Sequence, residues 1–302
     1  MRKALADLID SSIIFQYNLP NSNKSIDKTV LSINDDSCFE ATNFNDFVSI
    51  IYNSILEYSF DEYEMENKDL NNLQYRALRT RVRYNHDATD EAKIKYGFYG
   101  EVLLYAIIYK IFNIPKLIAR GHFYSVAAKS ETAGYDGYHL IEKDDKVQLW
   151  FGEVKFYQNY KTAINSALKN IENVVADDYL IDNNLIAIFD KFTMNNSYVV
   201  NSKLKELVHK WEENPKINLK QELINNDIKL IYPILIVYEK SAASYDRDIE
   251  LAVEHIKDKF SSLTFNNITI DYSLFFIFLP IEDVKATKEE VKKWIESQKP
   301  LI

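Results

Sequence analysis

The chain has 302 residues, 47% of them hydrophobic and 27% charged, with a net charge of −9. These proportions are ordinary for a folded soluble chain of one large domain or two modest ones. The acidic balance weighs against a protein that grips nucleic acid over its whole surface, because that affinity comes largely from phosphate neutralisation. It leaves open a carboxylate-rich site, which gains positive charge when a metal binds.

No membrane span is expected. The longest apolar-rich runs, 231–238 and 274–281, have eight residues each, and a spanning helix needs about 20. The opening MRKALADLID turns acidic early and lacks a signal-peptide core. Cys38 is the one cysteine, so no internal disulfide can form, which fits a cytoplasmic location.

In chain order, residues 1–35 read as an irregular entry and a strand over 26–33. Asp46 can cap a helix to about Tyr58, with Phe47, Ile50, Ile51, Ile55 and Tyr58 at helical spacing. An acidic stretch, 61–66, is followed by Arg76, Arg79, Arg81 and Arg83. On an extended segment Arg79, Arg81 and Arg83 would face one way and could contact nucleic acid or a partner. A solvated face or internal ion pairs is the plainer alternative. Thr89 or Asp90 opens the next helical region. From Gly97 the sequence GFYGEVLLYAIIYKIFN is apolar nearly all round, which predicts a buried helix carrying Glu101 near its start. A buried carboxylate there must be paired or ligating, which makes Glu101 a candidate metal ligand. An exposed first-turn Glu favoured by the helix dipole is the plainer alternative. Pro115 stops this helix, and 117–126 can form a strand.

The stretch GYDGYHLIEKDDKVQLWFGEVKFY, 134–157, reads as a hairpin turning at Asp144 and Asp145. In that register facing residues have numbers summing to 289, and Asp136 and Glu153 satisfy the sum. Their Cβ atoms would stand about 4.5–5.5 Å apart. Lys155 shares the face of Glu153, whereas His139 falls on the other face from Asp136 and should pack. All the chain's glycines lie between Gly97 and Gly152. Two carboxylates and a lysine at one spot can hold Mg²⁺ against a phosphodiester, with Mn²⁺ able to substitute. Lys155 can orient water or neutralise developing charge, and Glu101 can reach the same site from its helix. Gln158 and Lys161, just after the strand, are candidates for phosphate contact.

Beyond the hairpin, 159–175 is an amphipathic helix and 180–225 a polar, asparagine-rich insertion with a helix near 202–211. A strand over 228–238, a helix over 245–260, a strand over 268–279 and a helix over 287–298 close the chain. Strands alternating with helices predict an α/β fold with a central mixed sheet flanked by helices.

Asp136, Glu153 and Lys155, with Glu101 on the preceding helix, resemble the PD-(D/E)XK nuclease superfamily, although Tyr135 stands where proline often precedes the aspartate. The strings GYDGYHL, LWFGEVKFY, GFYGEVLLYAIIYK, YPILIVYE and FIFLPI resemble the HamA family and its relative AbpA. That resemblance is strongest over 97–157. It implies a restriction-endonuclease-like core at 91–302, with an α+β extension at 1–90 available to a partner. It also implies a DNA-cutting effector of the Hachiman antiphage system, working with a superfamily-2 helicase, HamB. A catalytically silent, nuclease-like module that regulates a helicase or senses DNA ends is the alternative.

Overall fold

The two most apolar segments of the chain become the middle of a sheet, as expected for strands buried on both faces. The computed structural model describes residues 1–114, 124–125, 130–131, 137–143, 146–174, 206–207, 209–210, 219–263 and 270–302. Elements run α1 (Lys3–Ser12), β1 (Ile13–Leu19), β2 (Asp36–Ala41), α2 (Phe44–Ser59), α3 (Glu62–Met65), α4 (Leu70–Thr80), α5 (Asp90–Lys93) and α6 (Phe98–Lys110). They continue β3 (Tyr124–Ser125), β4 (Ser130–Glu131), β5 (Gly137–Lys143), β6 (Lys146–Phe156), α7 (Tyr160–Val174), α8 (Leu219–Asn225), β7 (Lys229–Glu239), α9 (Tyr245–Phe260), β8 (Tyr272–Ile281) and α10 (Val284–Glu296).

Six strands form one mixed sheet in the order β1-β2-β8-β7-β6-β5. The run from β2 through β8 and β7 to β6 is parallel, and β1 and β5 pair antiparallel at the two edges. Side chains alternate across the sheet and separate two cores. Val147, Leu149 and Phe151 of β6 join α7 and α9 on one face. Trp150, Val154 and Phe156 join α1, α2, α4, α6 and α10 on the other. The result is a three-layer α/β/α arrangement in which β1 and β2 extend the sheet.

Several expectations are corrected. Residues 26–33 form no strand beyond an isolated bridge at Ile26. Their backbone is taken up locally: Thr29 donates to the buried Asp36 carboxylate, and Ile33 N–H donates to Leu274 O at 2.9 Å. Strands form instead on either side of them, as β1 and β2. The entry is not irregular either, since Leu5 and Ile9 anchor α1. Asn43, not Asp46, caps α2, accepting from the Asp46 N–H at 3.0 Å. The Asp46 side chain then lies in the first turn, where the helix dipole favours a negative charge.

The alternating-arginine reading also fails, because the segment is not extended. Arg79 is in the last turn of α4, Arg81 caps it in a helical conformation, and Arg83 has a φ of 57°. Arg81 pairs with Glu64 at 3.5 Å and lies over the Phe60 ring, which is the internal ion pair of the plainer reading. The expected strand over 117–126 lies outside the described residues apart from Tyr124 and Ser125, as does most of the 180–225 insertion.

Candidate functional site

The hairpin register follows the predicted sum. Gly137 faces Gly152, and each pair to Lys143 and Lys146 keeps it. Past Gly152, the described residues give β6 a partner only on the β7 side, where Glu153 is level with Ile234 and Lys155 with Ile236. Residues 153–156 lie near the carboxyl end of the parallel strands, where α/β sheets commonly place ligands.

Glycines set how closely α6 approaches this part of β6. A Cβ at Gly100 would stand 2.9 Å from Val154 Cγ2, so only glycine lets the first turn of α6 come so near β6. Glu101 is thereby brought beside the end of β6, and its Oε2 accepts a hydrogen bond from Tyr58 Oη at 2.6 Å. Glu153 is buried, pairs with Lys155, and accepts from Tyr232 Oη at 3.4 Å. Tyr232 belongs to the face covered by α7 and α9, whereas Glu101 comes from the other side. Both acids nevertheless line one cavity of about 750 Å³ at the carboxyl end of β6, shared with Lys155, Tyr157 and Gln158.

The structure thus brings Glu101, Glu153, Lys155 and Gln158 together. Lys161 starts α7 away from the cavity lining, with its ammonium 5.8 Å from the centre of the Tyr160 ring. Arg79, Arg81 and Arg83 do not line the cavity either. Asp136 lies outside the described residues. Among the described residues no three His, Cys, Asp or Glu side chains form a metal-binding group. His139 packs as expected, buried and stacked on Tyr105 with centroids 6.3 Å apart.

Four lining or supporting residues were missed from sequence: Tyr58, Lys95, Lys285 and Lys288. Lys288 has the most defined setting. Its Nζ donates to the Phe156 carbonyl at 2.9 Å and lies 4.8 Å from the centre of the Phe156 ring. Desolvation holds this ammonium below the ordinary lysine range, at about 8. No local signal separates it from the other lysines of α10.

No helix among the described residues is long and apolar enough to cross a membrane. No curated protein and no solved structure matches the chain. A family model described as HamA matches residues 7–295, which is nearly its whole length. The chain belongs to the HamA family, a component of the Hachiman antiphage defence system.

Proposed function

We propose that the chain is a metal-dependent nuclease that hydrolyses DNA phosphodiester bonds as a Hachiman effector, together with a superfamily-2 helicase of the HamB kind. The observation that carries this reading is the β5–β6 register. Gly137 pairs with Gly152, and the covalent neighbours of that pair are Asp136 and Glu153. The order of α6, the β5–β6 hairpin, α7 and β7 supports the reading, since a PD-(D/E)XK core has a helix, a three-strand meander, a helix and a strand in sequence. The described residues hold two of those meander strands in the main sheet. On this reading residues 91–302 are the nuclease domain, 1–90 are its extension, and the protein works in the cytoplasm.

The donor chemistry suits Mg²⁺ or Mn²⁺. Glu153 offers hard carboxylate oxygens from a buried position, with Glu101 on the same cavity and Asp136 proposed beside them. Mg²⁺ takes one or two protein carboxylates and keeps several waters. When bound it would supply charge neutralisation at the phosphate and a more acidic water. Glu153 and Asp136 hold the metal side of the site. Lys155, paired with Glu153, donates toward the oxygen on which charge develops. Glu101, oriented by Tyr58, positions water at the rim. The acidic chain leaves DNA delivery to the helicase.

Incubation of the purified chain with plasmid DNA tests this, in Mg²⁺ or in EDTA, with and without the helicase. Strand cleavage that needs the metal is expected. No cleavage under any metal condition, even with the helicase, contradicts it and favours the catalytically silent module.

A further inference from the structure

The lysines of α10 differ in their partners. Lys285 pairs with Glu289 at 3.7 Å, Lys292 with Asp90 at 2.8 Å and Lys293 with Glu290 at 2.8 Å. Lys288 has no ion pair among the described residues. Its ammonium is half-buried between the Phe156 ring, the Tyr99 ring at 5.9 Å and the Phe156 carbonyl. A desolvated cation without a counter-charge is costly, and an anion beside it removes the cost. The cavity it lines carries Lys95, Lys155, Lys285 and Lys288 against Glu101 and Glu153. In a chain of net charge −9 this is a local positive excess.

We propose that Lys288, with Lys285 and Lys95 at the rim, forms a subsite for a backbone phosphate of the DNA strand, beside the bond cut at Glu153 and Lys155. This rests on the nuclease reading and adds the path of the substrate to it. The phosphodiester backbone is the ligand class that fits, because it is anionic and repeats along the groove. A lysine point charge suits a phosphate oxygen that needs no base readout. The α10 ammonium would bind one phosphate, and Lys155 would face the next. Lys95 and Lys285 gather at the same cavity, which a lysine that only capped the Phe156 carbonyl does not require.

Binding of a short fluorescent DNA duplex, measured in EDTA over a series of salt concentrations, keeps recognition apart from cleavage. Lys288→Met is expected to lower affinity about 5- to 10-fold and to reduce the slope of log affinity against log salt by about 1, with Lys288→Arg restoring both. Unchanged affinity and slope in a folded Lys288→Met protein overturn the proposal, as does an absence of salt-dependent binding by the wild type. If Lys288→Met does not fold, the exposed pair Lys95→Glu and Lys285→Glu carries the test, and unchanged binding there overturns it. Lys288-dependent binding without metal-dependent cleavage keeps the subsite and removes the nuclease reading. Cleavage with Lys288-independent binding does the reverse.

Discussion

Gly152 of β6 lies against Leu104 of α6 so closely that a Cβ at Gly152 would stand 2.5 Å from Leu104 Cδ2 and 3.3 Å from its Cγ. The same glycine pairs with Gly137 and precedes Glu153. One residue therefore sets the helix–sheet spacing immediately before Glu153. Leu104 is fully buried and has little room to yield. Gly152→Ala should destabilise the fold by about 1–3 kcal/mol, as overpacking typically does. Urea denaturation measures this, and an unchanged midpoint would show that α6 can move away.

Asp36 organises the meeting of β2 with β8. Its carboxylate accepts from Phe276 N at 2.8 Å, from Thr29 Oγ1 at 2.8 Å, from Thr29 N at 3.3 Å and from Ser32 Oγ. Asp36→Ala leaves buried donors unsatisfied, and each costs about 1–3 kcal/mol. A loss of at least about 2 kcal/mol is expected in chemical denaturation. A smaller loss would mean that water replaces the carboxylate.

Tyr58→Phe removes one hydrogen bond to Glu101 and leaves the ring in the core. Stability should fall by about 1 kcal/mol. If Glu101 works through its orientation, cleavage should fall by about 10-fold at saturating metal. An activity loss that tracks only the unfolded fraction would reduce Tyr58 to a packing residue.

Lys288 predicts a pH dependence. Its folded-state value is about 8, below the ordinary 10.5, so between those values the unfolded chain binds more protons. Stability from this group therefore rises with pH across that window, and the penalty is fully present below it. Allowing for solvent on its open side, the gain is about 1–2 kcal/mol. Glu101, Glu153, Lys95, Lys155 and Lys285 face the same cavity. The comparison is therefore wild type against Lys288→Met at pH 7.5 and pH 10. The variant should lead at the lower pH and lose that lead at the higher one. A constant difference would contradict the assignment.

What could be read from sequence follows the physics of each segment. The β5–β6 register was legible because a two-residue turn and a strand period of two leave one arrangement. The bounds of α9 were legible because Ser244 caps it and its apolar positions keep helical spacing. Residues 26–33 misled because their β-branched content suits a strand, while Asp36 and Leu274 take their backbone donors. Arg79 and Arg83 misled for a related reason: spacing alone does not show that α4 continues to Thr80. Lys288 was invisible because α10 is lysine-rich on its solvent side. The placement of α10 across the end of β6 brings this lysine onto the Phe156 carbonyl.

The central claim is that Glu153 and Lys155 cut DNA. The most direct measurement is metal-dependent plasmid cleavage by wild type, Glu153→Gln, Lys155→Met and the double variant, each with the helicase present and folding checked by circular dichroism. Each single change should reduce cleavage by about 10²–10³-fold or more, and the double variant should be little worse than either, because residues acting as a unit are not additive. Cleavage by Glu153→Gln at the wild-type rate would contradict the account.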